Sequence, residues 1–456
     1  MSATAARRHA APPAAPDTLP ARRAEWTAAA LIGAGALPVL ALWWQGTTPA
    51  TLHAPGGVLI SAGRAAGLLA AYLLLVLTAL MARVPWVENR LGSDAATRVH
   101  RALGEYTVAL AACHALLIIL GYAALDRTGV IAQSIDLELD YPDVLMATAA
   151  LGLLILIGVL SARAIRARIR YETWYYTHLY VYLAVILAFS HEFADGQDFS
   201  TSLRARALWS AAHAAVAAAV LLYRIALPLA RSLRHDVRLL RVVPEGPGVI
   251  SLHLTGRDLD RLRAEPGQFL RWRFLARGHW WQSHPYSLSA APTADLMRIT
   301  VKPGADATRL TRLPPGTRVW FEGPYGAFTA RRPGARRVLL IAAGVGIAPI
   351  RALFETLPGR GRAAILIYRA SRPEDLVLYR ELEQIARHRG FGLFPLIGPR
   401  ESRDPLDPAM LRHAAPDLAQ REIYLCGPPG FTAAVAAQLR RAGAPAGRIH
   451  TEDFGR

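Results

Sequence analysis

Cysteine is nearly absent: Cys113 and Cys426 are the only two in 456 residues. So wide a separation excludes a disulfide framework, and two thiolates are too few for an all-cysteine iron–sulfur site, which takes four. No ferredoxin-type cysteine set and no calcium-loop pattern occurs, so a fused iron–sulfur module and calcium regulation are not expected. Lysine is scarcer still. Lys302 is the only one, and arginine carries the formal charge of +18. Those arginines are scattered through loops, with no basic stripe interleaved with aromatics, so nucleic acid is not an expected partner. There is no internal repeat, and the only low-complexity stretch is a Pro/Ala-rich arm at 1–25.

What is abundant is apolar surface, 53% of the chain, and it is unevenly placed. Six apolar segments are readable before residue 227: about 26–44, 61–82, 99–123, 144–162, 173–192 and 203–226. Each approaches the roughly 20 residues that cross about 30 Å of hydrocarbon. The first, Trp26 to Trp44, is longer than a signal-peptide core and lacks a small-residue cleavage site after it, so it reads as a membrane helix. Arginine is concentrated in the arm, in 83–101 and in 163–170. The intervening loops are poor in arginine, and 124–143 is acidic. This asymmetry predicts six crossings of a cytoplasmic membrane with both termini inside. Arg64, Arg204 and Arg206 run against the trend without overturning it.

Four histidines lie inside these segments: His100 and His114 in the third, His178 and His191 in the fifth. Imidazole is costly to leave unpaired in hydrocarbon, so each is a functional candidate. The third and fifth segments run in the same direction, which places His100 at the depth of His178 and His114 at the depth of His191. Fourteen and thirteen residues separate the members of each helix, roughly 20 Å at 1.5 Å per residue. Two stacked haems, each held by one histidine from each helix, fit that separation. Six-coordinate iron of this kind suits electron transfer. Fourteen residues return a straight helix nearly to the same face and thirteen do not, so the fifth segment is expected to distort. His53 and His213 have no comparable partner and receive no role.

After Arg231 the pattern becomes that of a soluble α/β protein. Strand-like runs at 249–254, 268–274, 297–301 and 318–321, separated by Pro/Gly turns, predict a small antiparallel barrel. From 335 onward strands alternate with helices, a doubly wound layout. On the barrel lies His284-Pro285-Tyr286-Ser287. Tyr286 offers a flat face to an isoalloxazine ring and Ser287 a hydroxyl to a ring nitrogen. Lys302, the Gly304 backbone and Thr308 are placed to meet a pyrophosphate. Further on, a strand ends in Gly344-Val345-Gly346, and a helix opens with Ile347-Ala348-Pro349. Backbone N–H groups of such a turn hold a nucleotide pyrophosphate. Arg369 and Arg372, after the next strand, favour a 2′-phosphate and hence NADPH over NADH. Cys426-Gly427-Pro428 follows another strand and would border the nicotinamide.

Taken together, these residues resemble the superfamily of NADPH oxidases and ferric reductases, whose soluble half is similar to ferredoxin–NADP reductase. The resemblance spans roughly 26–456 and rests on the four histidines, 284–287, 344–349, 426–429 and Glu452-Asp453-Phe454. An arginine opens the flavin motif in ferredoxin reductases; His284 stands there here. The resemblance implies four regions: a cytoplasmic arm (1–25), a six-helix transmembrane haem-binding bundle (26–226), an FAD-binding barrel (232–332) and an NAD(P)-binding α/β domain (335–456). It implies FAD, two b-type haems and NADPH or NADH as cofactors, with Tyr286 and Ser287 contacting the flavin and Phe454 covering its ring. The expected activity is transmembrane oxidation of cytoplasmic NAD(P)H, with dioxygen as the external acceptor. A ferric chelate, or a partner protein served by a haem-binding membrane anchor, remains the alternative acceptor. Apart from the bilayer, no protein partner is evident in the sequence.

Overall fold

The computed structural model describes residues 21–141, 143–194, 196–200, 202–302, 310–326, 328–329, 337–399 and 406–453. The described chain falls into two compact units, one ending at Leu227 and the other beginning at Pro228.

The first unit is helical. Among the described residues five helices are long and apolar enough to cross a membrane: Glu25–Gln45, Gly57–Met81, Ala95–Asp126, Val144–Ser161 and Leu203–His235. The second and third of these approach closely through small residues. A Cβ at Gly56, whose φ is +71°, would stand 2.0 Å from the Gly121 carbonyl oxygen, and a Cβ at Gly63 would meet Ile118. Close backbone approach of this kind drives helix association where lipid leaves no hydrophobic force between helices. Leu74, Ala150, Leu154 and Ala184 form a buried cluster that joins the second of these helices to two further parts of the bundle.

The expected single helix over 173–192 differs. It is two helices, Tyr171–His178 and Val181–Ala194, separated by a turn at Leu179 and Tyr180. Across the turn the amides of Tyr180 and Tyr182 bond three residues back, to Thr177 and Leu179. The stretch Tyr171-Glu-Thr-Trp-Tyr-Tyr-Thr is poor in strong helix formers, so tightening to three-residue bonds costs little there.

The second unit carries eleven described strands. β1 (Arg238–Gly246), β2 (Val249–Thr255) and β5 (Leu296–Val301) form one antiparallel sheet. β4 (His284–Ser287), β3 (Phe269–Phe274) and β6 (Val319–Tyr325) form a second. Single bridges, Arg238 to Arg318 and Leu288 to Ile299, join the two sheets at both edges. The strands therefore follow one another in the circuit β1-β2-β5-β4-β3-β6. β3 alternates strictly, burying Leu270, Trp272 and Phe274 on the inner face. Each such side chain contributes about 1.5–3 kcal/mol by leaving water.

The remaining strands are parallel: β7 (Val338–Ala343), β8 (Ala364–Ala370), β9 (Gly392–Ile397), β10 (Glu422–Gly427) and β11 (Ile449–Asp453), in the order β11-β10-β7-β8-β9. β7 is central and buried along its whole length, as a strand covered on both faces must be. The chain runs outward from β7 through β8 to β9, then returns to β10 on the other side. That reversal makes the carboxyl ends of β7 and β10 the switch point at which open α/β sheets bind ligands.

Candidate functional site

In the helical unit the four histidines meet in pairs. The ring centres of His100 and His178 lie 6.0 Å apart, and those of His114 and His191 lie 6.4 Å apart. The break at Leu179 and Tyr180 falls between His178 and His191, where the thirteen-residue spacing calls for a distortion. The His114 Nδ1–H donates to the Gly63 carbonyl at 2.8 Å, since that partner can only accept. This sets the tautomer and leaves Nε2 with its lone pair. Ser161 Oγ stands 3.5 Å from His178 Nδ1 and itself accepts from Trp174 Nε1 at 3.1 Å.

Two imidazole nitrogens about 2 Å from one metal ion put their ring centres about 6 Å apart, and both pairs fit that span. Among the described residues no group of three or more His, Cys, Asp or Glu side chains is placed to hold a bare ion. A macrocycle that brings its own four nitrogens needs only two protein ligands, so the donor set fits haem. Gly67 fits it also. A Cβ there would lie 2.6 Å from His114 Nδ1, inside the space that the ring occupies. His213 packs against Phe189 and Trp209, and His53 is exposed with Nδ1 on the Pro49 carbonyl.

In the second unit the flavin motif is itself β4, and register pairs Tyr286 with Leu270 and Ser287 with Phe269. His284 and Tyr286, two apart on one face, stack with ring centres 5.5 Å apart and planes 6° from parallel. Trp272 Nε1 donates to the Tyr286 carbonyl at 3.0 Å and fixes the strand from the buried inner face of the sheet. Pro285 is exposed and Ser287 buried. Ser287 Oγ donates to Glu452 Oε1 on β11 at 3.4 Å, a partner that sequence reasoning did not assign. Its one signal was the Glu-Asp-Phe run. Lys302 is exposed at the end of β5; Gly304, Thr308 and Phe454 lie outside the described residues, as does most of the arm.

At the switch point Gly344 takes φ +56°, a left-handed turn that opens the Ile347–Thr356 helix through Gly344–Gly346. A Cβ at Gly346 would stand 2.4 Å from the Cys426 carbonyl oxygen, so only glycine lets the turn close onto β10. Pro349 is buried in the helix, and Cys426 is fully buried. Gly427 faces Phe431 and Ala343, where a Cβ would come within 2.9 Å and 3.3 Å; Pro428 caps the helix that follows. Tyr368 lies 3.4 Å from the Gly344 carbonyl, and burial pushes its phenol up from the ordinary value. Arg369 donates to the carbonyls of Ala370, Leu396 and Pro399, tying the ends of β8 and β9. Arg372 is exposed and pairs with Glu374 and Asp375; its hydrogen bond holds the Asp375 carboxyl below the usual range.

A parallel sheet with a glycine turn at its switch point, beside two bridged sheets, is the layout of an oxidoreductase that binds FAD and a nicotinamide nucleotide. Residues 66–189 match the family of ferric reductase like transmembrane components. Residues 234–329 match an FAD-binding domain, and residues 340–437 match an oxidoreductase NAD-binding domain. With these three regions in this order, the chain has the ferric reductase/NADPH oxidase-like architecture.

Among curated proteins it is similar to the stachydrine N-demethylase reductase subunit of Rhizobium meliloti (strain 1021), 31% identical over 46% of this chain and 64% of that one. It is also similar to the ferredoxin reductase component of 3-ketosteroid-9-alpha-monooxygenase from Mycolicibacterium smegmatis, 32% identical over 46% of this chain and 59% of that one. The chain thus spans less than two thirds of each relative. A solved ferredoxin reductase of carbazole 1,9a-dioxygenase aligns at 21% identity and a TM-score of 0.41, over 48% of this chain and 69% of that one.

Proposed function

We propose that the protein moves electrons from cytoplasmic NAD(P)H through FAD and two b-type haems to an acceptor on the far side of the membrane, with dioxygen as that acceptor. The observation that carries the reading is the pair of histidine pairs at 6.0 and 6.4 Å, built on the same chain as a flavin and nicotinamide fold. When bound, FAD converts hydride into single electrons, and haem iron passes single electrons.

The chain's own residues bind and orient. His100 with His178, and His114 with His191, would hold the two haems, and the Gly63 carbonyl orients one of these four side chains. We read the two bridged sheets as one flavin barrel. On it the stacked His284 and Tyr286 present a flat face to the ring, and Ser287 presents a hydroxyl already oriented by Glu452. The Gly344–Gly346 turn takes the nucleotide pyrophosphate, and Cys426 borders the nicotinamide. Lys302, Gly304 and Thr308 serve the flavin pyrophosphate, and Phe454 covers the ring until nicotinamide displaces it.

A second reading, delivery to a partner protein, is supported by the relatives, whose names describe reductase components of monooxygenases. A ferric chelate is the third acceptor class. Purified protein supplied with NADPH separates them. Superoxide dismutase-sensitive reduction of an external dye supports dioxygen, and ferric-chelate-dependent NADPH oxidation supports the reductase. Electron flow only on adding a partner protein supports the second reading. Protein that binds no haem in any preparation refutes the whole scheme.

A further inference from the structure

The nucleotide sheet and the flavin sheets meet at a cluster of four charged side chains, two buried arginines and two half-buried carboxylates, that the proposed electron path does not use. Arg298 on β5 is 8% exposed. Its guanidinium forks onto Glu381 at 2.7 and 3.0 Å and turns its other edge to Ser289, donating to Oγ at 3.1 Å and to the carbonyl at 2.9 Å. Arg351, also 8% exposed, lies in the Ile347–Thr356 helix, one turn beyond the phosphate-binding glycines. It reaches the same Ser289 carbonyl at 3.4 Å, the Glu381 carboxylate at 2.9 Å and Glu355 at 2.5 Å. Glu355 then accepts from the Ala291 backbone amide at 3.1 Å.

Two cations and two anions make the cluster neutral, and each anion joins the two halves. Glu381 is on the nucleotide side and is held by a flavin-side arginine; Glu355 is on the nucleotide side and holds the flavin-side backbone. Ser289 is two residues beyond Ser287. Its carbonyl is the point on which guanidinium groups from both halves converge. Burial pushes the Glu381 carboxyl up, but Arg298 and Arg351 outweigh this and hold it below its ordinary value, as a permanently charged pair requires. Burying two arginines against half-buried carboxylates is a poor way to gain stability; ion pairs of this kind are better suited to fixing one register.

We propose that Arg298, Arg351, Glu355 and Glu381 are positioning residues, a clasp that sets the flavin strand against the nucleotide helix at the distance that hydride transfer needs. This rests on the reading that hydride passes from a nicotinamide at the switch point to a flavin on β4. Such transfer depends steeply on approach, and a misplacement of about 1 Å costs on the order of a hundredfold.

The test uses full-length protein in nanodiscs, loaded with FAD, and follows flavin bleaching by NADPH in anaerobic stopped flow. Glu381→Gln removes the charge that both arginines share. Arg298→Lys keeps a charge but loses the fork. In both, the limiting rate of flavin reduction falls about ten- to a hundredfold, while FAD content and NADPH Kd stay within twofold of the parent. Glu381→Asp recovers part of the rate. If instead the rate is unchanged and only the melting temperature drops, the cluster is structural and the clasp is refuted. A parent whose flavin neither nicotinamide nucleotide reduces would remove the functional reading and the clasp with it; a working parent with unaltered variants removes the clasp alone.

Discussion

At the scale of single residues, the histidine site depends on atoms that are missing. Gly67 has no Cβ, and the His114 ring fills the space: an added methyl would stand 2.6, 2.9 and 3.0 Å from Nδ1, Cε1 and Cγ. The ring is also bonded to the Gly63 carbonyl, so it has no free direction in which to yield. Gly67→Ala should therefore displace His114 and halve the haem content, leaving His100 and His178 ligated. Reduced-minus-oxidised spectra per mole of protein check this, and two haems in the variant would refute it. The two arginines after β8 give a second test. Arg369 is occupied by three carbonyls, whereas Arg372 is exposed and bonded only to carboxylates that a 2′-phosphate can replace. Arg372→Ala also leaves Asp375 and Glu374 facing that phosphate. It should raise the KM for NADPH severalfold with little change for NADH, more selectively than Arg369→Ala does. Steady-state kinetics with both nucleotides decide it. The pairing of His100 with His178 was legible in the sequence because depth follows from counting crossings. The Gly63 carbonyl was not, since a backbone acceptor on another helix leaves no mark in residue type. Ser287's partner, Glu452, was hidden for a related reason: parallel pairing brings β11 to the switch point only after the sheet order is known.

Among elements, β7 and β10 carry both the glycine turn and a polar network built on one buried arginine. Arg421, 2% exposed, sits just before β10 and donates to the carbonyls of Val338, Ala363 and Arg362 and to the Asp417 carboxylate at 2.6 Å. Asp417 also accepts from Arg337 at 2.6 Å. Arg421→Ala leaves one buried and two part-buried carbonyls and a carboxylate without this donor, a loss of about 3 kcal/mol by analogy with broken buried pairs. Chemical denaturation of the FAD-bound protein, followed by flavin fluorescence, should show that loss; a change below 1 kcal/mol would refute it. The pH dependence has a definite sign. Burial pushes the Asp417 carboxyl up, but its bonds to Arg421 and Arg337 more than offset this and leave it below its ordinary value. A depressed carboxylate contributes stability that is fully present above its unfolded pKa and is lost as pH falls through the depressed one. The Arg421→Ala penalty should therefore shrink in acid and be constant near neutrality. β7, β8 and β10 were readable as apolar runs of strand length. β4 was not, because a four-residue strand containing proline gives no alternation; its motif chemistry drew attention instead. β9 was missed because Gly392 and Pro395 break up a short apolar run, and proline is tolerated there only because the strand lies at the sheet edge.

For the whole molecule, the broken segment at 171–194 decides which side of the membrane the nucleotide fold occupies. The division into an apolar half and a mixed half was plain in the sequence, because a bilayer and water demand different surfaces. The number of crossings was less plain. Five helices meet the length for a span, and an odd number of crossings would put the N-terminal arm and the nucleotide domain on opposite sides. If 171–194 also crosses, the number is even and both lie together. Its two helices and the turn between them give about 35 Å at 1.5 Å per residue, enough for a core of about 30 Å. The histidines support a crossing as well. His178 and His191 pair with His100 and His114, which lie at successive positions along one spanning helix, so the broken segment runs beside that helix through the same depth. Arginine agrees, being dense at 83–101 and 163–170 and absent from the described part of 193–202. We therefore expect six crossings, with both termini, the flavin sheets and the nucleotide sheet in the cytoplasm. Cysteine placed at Thr128, in the loop expected outside, should react with an impermeant maleimide on intact cells. Cysteine placed at Arg387, on the exposed face of the Tyr379–Arg389 helix, should react only after the cells are opened. Cys113 and Cys426 are first changed to alanine so that neither reports. Labelling at Arg387 from outside intact cells would mean that 171–194 does not cross, and NAD(P)H from the cytoplasm would then have no route to the flavin.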